Sequence, residues 1–233
     1  MTGGEAPFRE ELGRAPGAYG EVLLRRRAAD DGEHLELVVD GVFAMDDVDT
    51  ATERALATEA LRRCRGQGLT VLVGGLGLGC TAAAALADPR VAAVEVVEVQ
   101  PPLVDWAREG LLPALPVADP RLRLRVGDVA AHLSGTRARY DAVLLDVDNG
   151  PVFLVHPANA GLYEEPGLAA ALGALRPGGM LAIWSSAPVP ELAGRLAGRS
   201  GAADVEHVVL AVERDGRRHE YALVLGRRAA QAS

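Results

Sequence analysis

Lysine is missing from this chain, so all 24 basic residues are arginines. That absence removes Schiff-base chemistry, a pyridoxal phosphate anchor and a Gly-Lys-Ser/Thr phosphate loop. Cysteine is nearly as scarce: Cys64 and Cys80 are too few for a disulfide framework or a zinc pattern. The five histidines, at 34, 132, 156, 207 and 219, contain no i, i+4 pair, and no metal is expected. Nothing resembles a serine nucleophile elbow. Positive charge is also in deficit, with a net charge of −8, which disfavours nucleic acid or an anionic membrane as partner. The short clusters Arg25-Arg26-Arg27 and Arg62, Arg63, Arg65 read as solvated edges. The opening stretch MTGGEAPFREELGRAPG is polar and lacks the apolar core of a signal peptide. Residues 69–87 carry no charge and have the length of a membrane span, yet Gly74, Gly75, Gly77 and Gly79 cluster inside them. A strand, turn and helix account for them better, and the protein is expected to be soluble and cytoplasmic.

Apolar residues are plentiful. With 233 residues and 49% hydrophobic content, the chain can bury the core of one large domain, or of one domain plus a small appendage. Residues 20–27 and 35–39 read as strands, Asp40-Gly41 as a turn, and VFAM as a continuation of the meander. Thr50 and Glu53 match a capping box that opens a helix to about residue 65. Strands then follow at 70–73, 91–99, 121–126, 141–147 and 180–186. Helical stretches lie between them at about 80–88, 101–110, 128–134 and 163–175. Arg176-Pro177-Gly178-Gly179 reads as a stop before the fifth strand. A helix at about 189–199 precedes two strands around Asp215-Gly216, a hairpin with a type I′-prone turn. Repeated β-α units argue a mostly parallel sheet covered on both faces. The expected division is 1–49 as tail and small β unit, 50–227 as a Rossmann-like nucleotide-binding domain, and 228–233 as tail.

One stretch concentrates the chemistry. In DAVLLDVDNGPVFLV (141–155), an apolar run leads into Asp146, Asp148 and Asn149, and Gly150-Pro151 then breaks the chain. A buried strand with a polar turn would explain it. So would a reactive loop at the carboxyl end of a sheet strand, where open α/β folds bind ligands. Gly75-Leu76-Gly77-Leu78-Gly79 follows the first sheet strand and opens a helix, a place where glycine lets backbone approach a ligand. It reads G-x-G-x-G, because Cys80 stands where dinucleotide folds carry a third glycine. Glu98 ends the second strand, where an acid can accept from ribose hydroxyls. Asp128, followed by Val129, comes after the third, where a carboxylate can accept from an adenine amino group. Three such placements at consecutive strand ends point to adenosine binding.

The order VLVGGLGLG, VEVVEV, RLRVGD, YDAVLLD and LRPGGML resembles the class I S-adenosylmethionine-dependent methyltransferase superfamily. The N-terminal β unit, with LVVDGVF before a capped helix, together with the Asp-rich loop, is similar to the spermidine synthase family of aminopropyltransferases. The likeness spans roughly residues 17–227. It implies a seven-strand, mostly parallel sheet with a C-terminal antiparallel hairpin, and S-adenosylmethionine or its decarboxylated form as donor, without metal. Gly75, Gly77, Gly79, Glu98, Asp128, Val129 and Asp146 would hold that donor. Tyr19, Glu53 and Asp148 would face the acceptor. Asp146, Asp148 and Asn149 would stand at the reacting centre, where a carboxylate can position an amine or take its proton.

The departures bear on activity. The family's glycine loop reads G-G-G-D-G-G, and its aspartate holds the amine of the decarboxylated donor; Gly77 stands there in this chain. The family's Tyr-Gln pair matches Ala51-Thr52, with the following acid kept as Glu53. A further Gln matches Gly20, behind Tyr19. The loop Asp-x-x-Asp-Pro keeps Asp146 but has Asn149 at its second acid, with Asp148 one residue off. Loss of the amine's counter-charge argues methyl transfer from S-adenosylmethionine to a small acceptor, read as an amine. Overall likeness argues aminopropyl transfer to a diamine. A degenerate nucleotide binder without turnover is the non-enzymatic alternative, and a nicotinamide dehydrogenase is disfavoured by the absent third glycine. A homodimer is compatible with these features, which do not themselves name an oligomeric state.

Overall fold

Alternating side chains build a sheet with two buried faces. In β5 (Leu69–Gly74), Val71 and Val73 enter one hydrophobic cluster and Leu72 enters the other. The same division holds in β6 (Val91–Glu98), where Val94 and Val96 oppose Val97. It recurs in β8 (Tyr140–Leu145), where Ala142 and Leu144 oppose Val143 and Leu145. A strand buried on both sides needs helices on both, which is why these segments read as nearly continuous apolar runs.

The computed structural model describes residues 9–29, 32–147, 150–151, 153–154, 156–214 and 216–230. The remaining strands of the large sheet are β7 (Leu122–Val126), β9 (Leu175–Ser185), β10 (Ala202–Arg214) and β11 (Arg217–Arg228). Its order is β10-β11-β9-β8-β5-β6-β7, with β9, β8, β5, β6 and β7 parallel and the C-terminal hairpin antiparallel. One face is covered by α1 (Ala51–Arg63), α2 (Cys80–Ala87) and α3 (Pro101–Arg108). The other carries α4 (Val129–Ser134), α5 (Glu165–Ala174) and α6 (Pro190–Ala197). The fold is therefore the expected Rossmann-like α/β arrangement. The chain lays β5, β6 and β7 outward in one direction, then crosses back to place β8 on the other side of β5. That reversal opens a crevice at the carboxyl ends of β5 and β8.

A second, antiparallel sheet of order β1-β2-β3-β4 is made by β1 (Arg9–Gly17), β2 (Gly20–Ala29), β3 (Gly32–Val39) and β4 (Val42–Asp46). Its inward residues Val22, Leu24, Leu35 and Leu37 join the same cluster as α1–α3. Strand β1 was not expected from its polar sequence. It is an edge strand with a register shift between Glu11 and Gly13, a position that tolerates Pro16 and charge. Gly13 sits where a Cβ would lie 2.5 Å from the Trp106 ring, so it lets β1 lie on α3.

Three local expectations need correction. Thr50 precedes α1 but makes no side-chain cap. Asp49 Oδ1 instead accepts from Ala51 N (2.9 Å), and Glu53 Oε2 accepts from Thr52 Oγ1 (2.8 Å). The Arg-Pro-Gly-Gly segment is no stop before β9 but a bulge within it: Leu175 pairs with Tyr140, and Met180 pairs with Ala142. The helix expected over 163–175 is present as α5, preceded by a 3-10 turn, Pro157–Tyr163. The arginine clusters are more than solvated edges, too. Arg25 and Arg27 both pair with buried Glu36 (2.7 and 2.8 Å), and Arg63 links Glu59 on α1 to Glu206 on β10. Among the described residues, no helix is long and apolar enough to cross a membrane. The hairpin forms as expected between β10 and β11; its Asp215 lies outside the described residues.

Candidate functional site

A cavity of about 230 Å³ occupies the crevice, roofed by Leu37, Val39 and Met45 of the small sheet. The glycine loop forms its base. Gly75 has φ +87°, and a Cβ there would lie 2.2 Å from the carbonyl oxygen of Asp146. Asp146 N donates to Gly74 O (2.8 Å) and Gly75 N to Val97 O (2.9 Å), so the ends of β8 and β6 grip the loop from both sides. Only glycine fits there.

On the β6 side, Glu98 is buried at 6% exposure, and its carboxylate accepts two backbone N–H groups. Oε2 takes Leu76 N and Oε1 takes Gln100 N, each at 2.7 Å. The acid expected to bind ribose thus also fastens the glycine loop to the strand end, while lining the cavity. Asp128, beyond β7, is exposed and lines the cavity beside Val129. It is also the N-cap of α4, accepting from Ala130 N at 2.8 Å. Such a cap contributes about 0.5–2 kcal/mol.

The β8 side is different. Asp146 is half-buried, and its Oδ2 accepts from Thr81 Oγ1 at 2.5 Å. Burial and the nearby Glu53 carboxylate push its pKa up to about 7, against the pull of that hydrogen bond. The pKa of Glu53 is raised as well, first by burial and then by Asp49 and Asp46. Asp148 and Asn149 lie outside the described residues. Past them, Tyr163 Oη donates to Val147 O (2.8 Å) and fixes the start of the loop. Tyr19, from the β1–β2 turn, stacks on His156 with ring centroids 3.6 Å apart and planes 8° apart. Both rings line the cavity.

Gly77, with φ +50°, also lines the cavity, and a Cβ there would lie 2.7 Å from Met45 Sδ. The same sulfur accepts Leu78 N–H at 3.3 Å. A thioether from β4 therefore fills the space in front of residue 77. Gly79 caps α2. Of the seven expected donor residues, Gly75, Gly77, Glu98, Asp128, Val129 and Asp146 line the cavity.

The charge of this lining is one-sided. Among its described residues, Asp40, Glu53, Glu98, Asp128 and Asp146 are acids and none is arginine. Such a cavity favours a cationic ligand. A neighbouring cavity of about 220 Å³ shares Ala44, Met45, Glu53 and Trp184 with it, and adds Asp46, Asp49, Glu220 and Tyr221. Trp184 is 6% exposed, and its Nε1 has no partner among the described residues. Also among the described residues, no three His, Cys, Asp or Glu side chains gather in a metal-binding arrangement.

Thr81, Met45, Gln100, His156 and Trp184 were not singled out from sequence. Gln100 is buried and accepts Ala18 N at 2.8 Å, joining the β1–β2 turn to the end of β6. Its place two residues after a strand-end acid was a usable signal. No pattern in the sequence pairs residue 19 with 156 or 45 with 77.

No family model matches the chain. It is 35% identical over 122 residues to putrescine N-methyltransferase 3 of Nicotiana tabacum, covering 49% of this chain and 30% of that protein. It is 29% identical over 178 residues to a polyamine aminopropyltransferase of Mycobacterium tuberculosis, covering 73% of this chain and 32% of the relative. The matches thus span about a third of those relatives' length. A spermidine synthase solved in complex with the transition state analogue AdoDATO superposes with a TM-score of 0.76 at 16% identity, over 95% of this chain and 75% of that one. The spermidine synthase of Thermotoga maritima superposes at 0.74 with 15% identity, over 95% and 74%.

Proposed function

From this likeness to spermidine synthase-like proteins in sequence and fold, we propose that the chain is a transferase acting on a sulfonium adenosyl nucleotide and a small amine, with methyl transfer preferred. The observation that carries this reading is the acid-lined, arginine-free cavity at the crossover, with Glu98 and Asp146 on either side of β5. The cradle fits a nucleoside: Gly75 and Gly77 line it without side chains, and acids stand at the ends of β6 and β7. Glu98 would hold the ribose and Asp128 the base, as charge-assisted acceptors. When bound, the donor supplies an electrophilic carbon beside a sulfonium that leaves as a neutral thioether. The residues of this chain supply placement and a proton acceptor. Asp146, with a pKa near neutrality, is suited to receive a proton from an amine that arrives as ammonium. The second acidic cavity offers the amine a route along Glu53, Asp46 and Asp49.

The preference for methyl transfer rests on position 77. It carries no carboxylate, and the Met45 thioether in front of it is no counter-charge for an ammonium tail. Aminopropyl transfer is the second reading, favoured by the surplus of acid around Glu53 and Asp146, which could face such a tail instead. Turnover assays decide between them, pairing S-adenosylmethionine and its decarboxylated form with a panel of monoamines and diamines. The expected result is methylated amine from the first donor. Aminopropylated product from the second would select the other reading. Binding of both donors with no product would leave a nucleotide-binding protein without turnover.

A further inference from the structure

We infer that Thr81 is a positioning residue for Asp146, a hydroxyl that partners its side chain in both protonation states. Three elements meet at this hydroxyl. Thr81 is the second residue of α2 and is 2% exposed. Its Oγ1 lies 2.5 Å from Asp146 Oδ2, just past β8, and 3.2 Å from the backbone carbonyl oxygen of Glu53 in α1. A hydroxyl has one proton to donate and lone pairs to accept with. While Asp146 is a carboxylate, Thr81 donates to it. When Asp146 takes a proton from the acceptor's ammonium, the new acid O–H donates to Thr81 Oγ1, and the threonine proton turns to the Glu53 carbonyl. The proton leaves the amine nitrogen, which keeps the electron pair, and resides on Asp146 until solvent removes it. Neither state strands a buried polar group.

The site's charges make this partner matter. Glu53 of α1 opposes ionisation of Asp146, and the backbone of Gly75 adds no charge. Cys80 on α2 lies close enough to feel both carboxylates, with Arg54 acting on it in the opposite sense. Asp46 and Asp49 act on Glu53. Among these groups, the Thr81 hydroxyl is the one that lowers the pKa of Asp146. A bond to the charged form is worth more than one to the neutral form, so removing it should move the titration upward.

The inference rests on the proposed role of Asp146, and its test separates the two. Full-length Thr81→Val, Thr81→Ala and Thr81→Ser would be compared with the unsubstituted chain. The first readout is the titration of Asp146 by carboxyl ¹³C NMR, which needs no turnover. The second is kcat against pH with the best donor and amine. Val and Ala should each raise the Asp146 midpoint by about one pH unit and lower kcat about tenfold, the scale of one hydrogen bond to a charged group. The affinity for methylthioadenosine should stay within about twofold, and Ser should restore both readouts. In an Asp146→Asn background, Thr81→Val should cost less than about twofold further. An unmoved midpoint in folded Val and Ala variants would overturn the inference, as would a full-sized loss of rate in the Asp146→Asn background. Absence of turnover in the unsubstituted chain, with the midpoint still moved, would instead sink the transferase reading.

Discussion

Glu98 and Asp146 flank the same strand and line the same cavity, yet their carboxylates are held in opposite ways. Glu98 has two backbone N–H donors, one on each oxygen at 2.7 Å. Asp146 has one hydroxyl donor and a second acid nearby, and its pKa is pushed up to about 7. Fixed amide donors favour a permanent anion that anchors a loop and a ligand. A poorly compensated carboxylate is ready to take a proton. Position at a strand end is common to both; the hydrogen-bond donors around them differ. In the proposed transferase, the β6 side would hold the donor and the β8 side would react.

The largest expected effect breaks the comparison from the reacting side. Asp146→Asn should lower turnover about 10²–10⁴-fold, with nucleotide affinity changed less than about threefold. Steady-state kinetics and calorimetry on one preparation check this. Full turnover in that variant would reduce the Asp-rich loop to a structural turn.

On the holding side, Glu98→Ala leaves Leu76 N and Gln100 N without their acceptor. It should weaken nucleotide binding at least tenfold and cost the fold about 2–4 kcal/mol, from two hydrogen bonds to a charged group. Glu98→Gln keeps one acceptor and should lose less on both counts. Denaturant unfolding and calorimetry measure them. Equal effects of Ala and Gln would show that charge, not the pair of acceptors, is what the loop needs.

Stability against pH sharpens the contrast further. The pKa of Asp146 is raised in the fold, so its contribution is fully present below its unfolded value near 4 and is lost as pH rises through about 7. Asp146→Asn removes that loss. It should gain roughly 1–2 kcal/mol on the unsubstituted chain between pH 5 and pH 8, discounted for the carboxylate's partial exposure. Unfolding curves at the two pH values test the sign. A gap that stays constant instead of opening would mean Asp146 is ionised in the fold throughout this range.

Position 77 offers a smaller effect. Gly77→Asp alone must hold a left-handed conformation and displace Met45, at a cost of about 1–2 kcal/mol. Paired with Met45→Ala, it should shift relative affinity toward decarboxylated S-adenosylmethionine by about tenfold. An unchanged ratio in the folded double variant would remove position 77 from donor selection.

Much of this was legible from the chain. The five parallel strands announced themselves as apolar runs separated by helical stretches, and the strand-end acids followed from their positions. What escaped was set by tertiary contact. Strand β1 looks like a polar tail because an edge strand needs few apolar residues, and Gly13 earns its place only once Trp106 is beside it. The Thr50–Glu53 pattern was a real motif put to another use: Glu53 faces the cavity, and Asp49 satisfies the backbone instead. Thr81 sits in an alanine-rich helix, and nothing local indicates that its hydroxyl meets an acid 65 residues later. Trp184 belongs to the buried cluster and Met45 packs against it, yet both also wall the cavity. Local patterns encode elements well and encode meetings between elements poorly.

The most direct test of the central claim is calorimetric titration of methylthioadenosine and S-adenosylmethionine into the unsubstituted chain, Glu98→Gln and Asp146→Asn. The expected result is binding to the unsubstituted chain, about tenfold weaker binding to Glu98→Gln, and near-unchanged affinity in Asp146→Asn. Absence of binding to the unsubstituted chain by either compound, or a loss confined to Asp146→Asn, would contradict it.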